Sequence, residues 1–391
     1  MLPHNKTALA VAMLCGAGVH IAMMGSRLTM SLQAISLGGD SFTVGLLLAL
    51  YGLAPLFIAV PTGRWIDRTG VYRPLLWTCA CMLAGLLIPA AVAHITALYA
   101  GALLLGAGVM MMIISLNNLT GAISSVADRP ANFGWLALAY SIGMLIGPFA
   151  AGIGIDHIGH RSTLIALAAS PLAMLGAIVF ARRVLPRLSR AGPAKVRGMF
   201  DLFREPRLRG IYLVGAAVSA AYELHGFLAP VYGHRIGLSA STIGLLGSSV
   251  AFGVLGIRVA APWLMTHVNE WRILGAALLG SGFFYALFVQ LTNVPLLMLV
   301  SFLIGASMGV TQPVSMSLLH GASPEGRVGE ALGLRTMIMN GGQSITQLSL
   351  GAVSGLAGIA PVIWAASAVI FCAGWYAERR GRREVKAAGR R

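Results

Sequence analysis

The stretch "GRWIDRTGVYRP", Gly63 to Pro74, carries Arg64, Asp67, Arg68 and Arg73 within twelve residues. Phe42 to Pro61 before it and Leu75 to Ala93 after it carry no charge. Each flank has about the twenty apolar residues that a helix needs to cross a bilayer. The stretch therefore reads as a polar loop between two membrane-spanning helices, where its charges can stay in water.

The rest of the chain repeats this alternation. Of 391 residues, 57% are hydrophobic and only 10% charged, and mean hydropathy is +0.80. Soluble domains carry about 25% charged residues, so charge is too sparse here for a surface in water. Twelve apolar segments account for nearly the whole length. They are Thr7–Ser36, Phe42–Thr62, Pro74–Ala93, Thr96–Ile123, Phe133–Ile155, Thr163–Ala181, Leu208–Tyr232, Ser241–Met265, Ile273–Leu291, Val294–Leu319, Ala331–Gly355 and Ala360–Tyr376. Segments this long argue helices, since a membrane barrel shows short alternating strands. The expected fold is an all-α polytopic membrane protein with twelve transmembrane helices. The first segment is too long for a cleaved signal peptide and is expected to be retained.

Net charge is +16, and its placement excludes a nucleic-acid surface. Nine arginines and lysines crowd the joint from Arg182 to Arg209, and seven crowd the end from Arg379 to Arg391. With joints counted alternately, both clusters and the Gly63–Pro74 stretch fall on one side. The other side carries little beyond Asp40, His94, Asp156, Arg161 and Arg235. This is the positive-inside pattern, so both termini are expected in the cytoplasm of an inner-membrane protein. The basic tail is placed to meet anionic lipid head groups. Cys15, Cys79, Cys81 and Cys372 all lie in apolar segments and are expected to be buried thiols, with no disulfide and no metal.

The long basic joint divides the chain into six segments and six. "SFTVGLLLAL" in the first half has its counterpart in "ASTIGLLGSS". One offset of 199 residues pairs Gly45 with Gly244, Gly106 with Gly305 and Gly143 with Gly342. A duplicated six-helix unit is one transporter plan. The expected organisation is a six-helix bundle over 1–182, a basic linker over 183–207, a second bundle over 208–377 and a basic tail over 378–391.

Twelve helices, a duplication and a central basic joint resemble the major facilitator superfamily. That family's signature between helices 2 and 3, G-x-x-x-D-R-x-G-R-R, is similar to Gly63, Asp67, Arg68 and Gly70, with Val71-Tyr72-Arg73 at the basic pair. The resemblance implies that Asp67 acts as a conformational latch. At the same offset the second half has Pro262, Thr266 and Asn269, so the latch is expected on one side only. Segment 5 resembles a second signature, that of the drug:proton antiporters, at Gly134, Gly143, Gly147, Pro148 and Gly152. Small residues let another helix approach closely and a proline bends the helix, so a seal or hinge is expected there. The resemblance implies export by antiport. Segment 4, "GAGVMMMIISLNNLTG", departs from those antiporters, because it lacks their arginine.

Charges inside bilayer segments are costly and mark functional positions. Segments 3, 6, 9 and 12 have none, as suits lipid-facing supports. Arg27, Glu223 and Arg258 lie deep, and Arg335 near the cytoplasmic start of segment 11 is expected to snorkel. The offset places Glu223 opposite Met24, one turn from Arg27. Glu223 is therefore the expected proton carrier, gated by Arg27, with His20 the rival titrating group. A structural ion pair between Arg27 and Glu223 is the plainer alternative. Arg258, Asn117, Asn118, Gln312, Asn340, Gln343 and Gln347 are candidate substrate contacts, against an alternative as interhelical hydrogen bonds. Met110, Met111 and Met112 point in different directions round a helix and read as core filling.

No phosphate loop, metal-spaced His/Cys set or nucleophile motif occurs, so neither an enzyme nor a cofactor is expected. The expected function is proton-coupled export of a small organic compound by alternating access, by a monomer in the bilayer. The alternative is an organic-anion carrier with Arg27 and Arg258 as carboxylate ligands.

Overall fold

The computed structural model describes residues 3–125, 128–185, 199–323 and 327–388. Most of the expected basic linker, 186–198, and the last residues of the tail, 389–391, lie outside the described residues. Among those described there is no strand. The helices are α1 (Pro3–Ser36), α2 (Ser41–Thr69), α3 (Tyr72–Ala91), α4 (Ile95–Ile123), α5 (Arg129–Leu167), α6 (Ala169–Phe180), α7 (Pro206–Arg235), α8 (Ala240–His267), α9 (Glu270–Phe288), α10 (Val294–Met308), α11 (Thr311–Ala322), α12 (Val328–Ala357) and α13 (Ile359–Ala388).

Two breaks reconcile these helices with twelve passes. Gly159 in α5 has φ 78° and ψ 169°, outside helical geometry. The chain turns there, and the remainder of α5 runs on into α6 as the sixth pass. Only glycine takes that φ without strain. Likewise α10 and α11 are consecutive pieces of the tenth pass, parted at Gly309 and Val310. Among the described residues, ten stretches are long and apolar enough to cross a membrane, one of which, Ala131–Phe180, covers both the fifth and sixth passes. Helix α12 is not among them, because it carries Arg335, Asn340, Gln343 and Gln347.

The Gly63–Pro74 stretch is more ordered than a loop. Arg64, Asp67 and Arg68 lie on the last turns of α2, which ends at Gly70. Gly70 has φ 77°, and its N–H donates to the Ile66 carbonyl at 2.8 Å. A left-handed glycine that closes the last turn stops a helix sharply. The other end of α2 is capped by Asp40, whose Oδ1 accepts from the Thr43 N–H at 2.9 Å and the Thr43 hydroxyl at 2.8 Å. These bonds, the backbone one foremost, hold the Asp40 carboxyl below its usual range.

By packing, the described residues form two compact units, 3–185 with 233–248 and 199–232 with 249–388. The stretch 233–248, expected with the C-terminal bundle, groups with the first unit. Within the first unit, a Cβ on Gly106 of α4 would collide with the Tyr51 carbonyl of α2. Within the second, a Cβ on Gly305 of α10 would collide with the Val250 carbonyl of α8. Val250 stands to Tyr51 as Gly305 stands to Gly106, at the offset of 199 residues. The repeat thus recurs as the same backbone contact in both units.

Large apolar side chains stay uncovered on the outside of the units. Trp77 on α3 is 60% exposed, Phe180 on α6 86% and Val369 on α13 66%. Such a surface suits lipid rather than water. At the C-terminal end of α13, Arg379 stacks on Trp375 and Arg380 on Trp271, 3.4 and 4.5 Å from the ring centres. Cys15 and Cys79 are buried, whereas Cys372 is exposed, contrary to expectation, on the outward face of α13.

Candidate functional site

In the first unit α5 is clamped between two helices. A Cβ on Gly143 would strike the Ala17 carbonyl of α1, and one on Gly147 would lie 2.9 Å from the Ile21 carbonyl oxygen and 3.1 Å from the Met24 Cβ. One turn on, the contact passes to α8. A Cβ on Gly152 would strike the Ala240 carbonyl, and one on Gly244 the Pro148 carbonyl. Backbones touch at these points, so only glycine fits. Ser248 Oγ donates to the Leu145 carbonyl at 2.8 Å.

Asp156, at the end of this run, was read from the sequence only as a sparse loop charge. Its carboxylate caps α8. It accepts from the Ala240 N–H at 3.1 Å, the Ser241 N–H at 2.8 Å and the Ser241 hydroxyl. The backbone stays helical through Pro148, and Gly159 is the one break in α5. The proline ring faces Gly247, where a Cβ would lie 3.1 Å from Pro148 Cβ and 3.4 Å from its Cγ. A Cβ on Gly134 would meet nothing within 4 Å, and neither would one on Gly63.

Of the polar candidates in this unit, Arg27 is 8% exposed and lies 5.9 Å from the centre of the Tyr51 ring. The Tyr51 hydroxyl donates to Ser26 Oγ at 3.0 Å. His20 Nδ1 lies 3.3 Å from the Gly16 carbonyl oxygen, and its ring centre lies 4.7 Å from that of Tyr140. Asn117 is exposed and Asn118 half-buried. Asp67 is exposed on α2, and its carboxylate has no hydrogen-bond or ion-pair partner among the described residues.

The second unit gathers the remaining candidates around α7 and α12. Gln347 is fully buried, and its Nε2 donates to Glu223 Oε2 at 2.9 Å and to the Glu223 carbonyl at 2.8 Å. Its Oε1 is buried and has no donor. One turn below, Ser219 Oγ donates to the Met339 carbonyl at 3.0 Å. Tyr222 donates to the Met308 carbonyl at 2.9 Å and lies within electrostatic reach of Arg258. Arg258 is half-buried on α8. Asn340 and Gln343 are half-buried on α12.

The two units build corresponding seams differently. At the offset of 199 residues, Glu223 corresponds to Met24, Gln347 to Pro148 and Gly342 to Gly143. The α1–α5 seam is closed by glycines, while the α7–α12 seam holds a carboxylate and an amide, and a Cβ on Gly342 meets nothing within 4 Å.

Arg335 does not snorkel. It is 7% exposed and is held by α11. Its Nε donates to Ser315 Oγ at 3.1 Å, and its Nη2 donates to Ser315 Oγ at 2.9 Å and Gln312 Oε1 at 3.0 Å. Gln312 thus joins Arg335, and the structure gives it no bond to the other candidates. Just before α12, Arg327 pairs end-on with Asp201, with Nη2 to Oδ1 2.9 Å and Nη1 to Oδ2 3.0 Å. Its hydrogen bonds hold the exposed Asp201 carboxyl below its usual range.

Comparison with known proteins agrees with this architecture. The sequence profile of the Major Facilitator Superfamily matches residues 12–347 and again 268–390. The chain is 26% identical over 317 residues to the class G tetracycline resistance protein of Vibrio anguillarum, covering 76% of each. It is 26% identical over 132 residues to multidrug resistance protein 2 of Bacillus subtilis (strain 168), covering 33% of each. Among solved structures, the nucleoside transporter NupG superposes with a TM-score of 0.80 at 14% identity, over 94% of this chain and 98% of that one. A bacterial homolog of the human lysosomal transporter Spinster, inward-facing and unoccupied, gives 0.78 at 12% identity, over 99% and 98%. With the duplicated helix contacts and the profile match over most of its length, the chain belongs to the Major Facilitator Superfamily.

Proposed function

We propose that this transporter exports a small organic compound in exchange for protons, by alternating access, with Glu223 as the proton carrier. The observation that carries the reading is the Glu223–Gln347 pair. Ionised, the carboxylate accepts from Gln347 Nε2, and Gln347 Oε1 is left as a buried acceptor without a donor. An unpaired buried acceptor costs about 1–3 kcal/mol. A protonated carboxyl gains one O–H donor, which the orphaned oxygen can accept. The pair thus has a partner arrangement for each protonation state.

The named relatives, a tetracycline resistance protein and a multidrug resistance protein, support export of an amphipathic compound. In this reading the protein works as a monomer in the inner membrane with both termini cytoplasmic. Asp67 latches one conformation, and the α5–α8 contact seals another.

The test uses liposomes loaded with tetracycline, followed by a panel of amphipathic compounds. Glu223→Gln mimics the protonated acid, so it should keep substrate exchange and lose accumulation driven by a pH gradient. His20→Gln should keep both. Intact pH-driven transport in Glu223→Gln, with loss in His20→Gln, transfers the role to the histidine.

A further inference from the structure

Arg335 is a buried cation whose hydrogen-bond partners among the described residues are neutral. Its hydrogen-bond partners are Ser315 and Gln312, and no carboxylate lies within ion-pair distance of it among the described residues. Taking a guanidinium out of water without a counter-charge is costly, and in a membrane pass such a charge is functional by default. Arg335 lies seven residues into α12, about 10 Å along the helix axis.

The way it is held leaves one end unused. Ser315 and Gln312 take the Nε and Nη2 edge. Nη1 makes no hydrogen bond among the described residues, yet it is not one of the sealed polar atoms without a partner. It therefore reaches open space. Gly342, two turns further along the same face of α12, also borders open space, since a Cβ there meets nothing within 4 Å. Its counterpart Gly143 is pressed against α1, so this room is particular to the second unit.

We propose that Arg335, fixed by Ser315 and Gln312, receives an anionic group on the transported compound, a carboxylate or a similar oxyanion. A guanidinium presents a planar fork that matches such a group. Anchoring one edge sets the plane in advance and lowers the ordering cost of binding. Neutral anchors keep the full positive charge available, which an aspartate at either position would cancel. The proposal rests on the transport reading above and names the chemistry of its cargo.

The experiment is equilibrium binding to the full chain in nanodiscs of neutral lipid, at fixed pH with no gradient. The probes are benzoate against benzamide and 2-naphthoate against 2-naphthamide, read by calorimetry. The wild type should bind the carboxylates at least about tenfold tighter than the matched amides, about 1.4 kcal/mol. Arg335→Gln should erase that preference. Arg335→Lys should keep only part of it, since it retains charge and loses the fork. Gln312→Leu should weaken it several-fold by freeing the guanidinium. Equal affinity for carboxylate and amide in the wild type, or no binding of either, overturns the proposal, as does a preference that survives in Arg335→Gln. Should Arg335→Gln fail to fold, an unchanged preference in Gln312→Leu counts against it equally. Loss of the anion site beside intact Glu223-dependent, pH-driven transport removes this proposal alone. The converse result removes the proton reading alone.

Discussion

Gly152→Ala adds one methyl where α5 and α8 touch. The new carbon would lie 2.9 Å from Ser241 Cα and 3.0 Å from the Ala240 carbonyl carbon, and nearer still to the Ala240 oxygen. All three are backbone atoms, so no side chain can swing aside. The helices must part by roughly 0.5–1 Å, and an overpacked contact of this kind costs about 1–3 kcal/mol. Parting them also strains the bonds from Asp156 to Ala240 and Ser241. If α5 and α8 separate during transport, that cost falls only on the state in which they touch. A shift of about 1–3 kcal/mol changes a two-state population about 5- to 150-fold. Ser248→Cys reports it, because Ser248 is 7% exposed and bonded to α5 in the closed contact. Cys81 and Cys372 are first replaced by serine, since neither is fully buried. The labelling rate of Ser248→Cys by a small thiol reagent should rise by that factor in the Gly152→Ala background, with a fall in transport rate. Unchanged labelling and unchanged transport would refute the reasoning and leave the contact a static one.

Two further expectations follow from the ends of α2. Asp67→Asn should cut the transport rate in proteoliposomes while leaving substrate affinity within about twofold, since the carboxylate is exposed and touches no candidate site residue; a normal rate removes the latch. Asp40→Ala should lower stability by about 0.5–2 kcal/mol in a denaturation assay, the usual worth of an N-cap. The Asp40 carboxyl titrates below its usual range in the folded chain, so its contribution is full above the ordinary carboxylate range and fades as pH falls through the lowered value. The difference between Asp40→Ala and wild type should therefore shrink in acid, and a pH-independent difference contradicts the cap.

The twelve passes were legible because a bilayer imposes length and apolarity on every crossing. The repeat was legible because glycines mark points where backbones touch, and such points leave no other residue type. Gly106 and Gly305 carried that signal intact. Proline carries a weaker one, since neighbouring groups can absorb its missing N–H, and α5 runs helical through Pro148 to break at Gly159. Asp156 escaped because its partners lie 84 and 85 residues away, with no local pattern to announce them. Arg335 was misread because nearness to a segment end does not say which way a side chain turns. Ser315 and Gln312 on another helix draw it inward. The pairing of Glu223 with Gln347 rests on two candidates 124 residues apart, each visible alone.

With Glu223 as the proposed proton carrier, the unequal seams would set a thermodynamic ceiling. The α7–α12 seam holds one acid, and its counterpart in α1 is Met24, which cannot titrate. A carrier that moves a single proton through this seam per cycle draws about 1.4 kcal/mol from each pH unit, which sustains about a tenfold concentration ratio of its cargo. If that cargo is uncharged, each cycle also moves one net charge across the membrane, and each 100 mV adds about 2.3 kcal/mol. If it leaves as a monoanion while the proton enters, two charges move in the same electrical sense, and the same voltage contributes about twice as much. The charge of the cargo therefore fixes how steep a gradient the protein can hold.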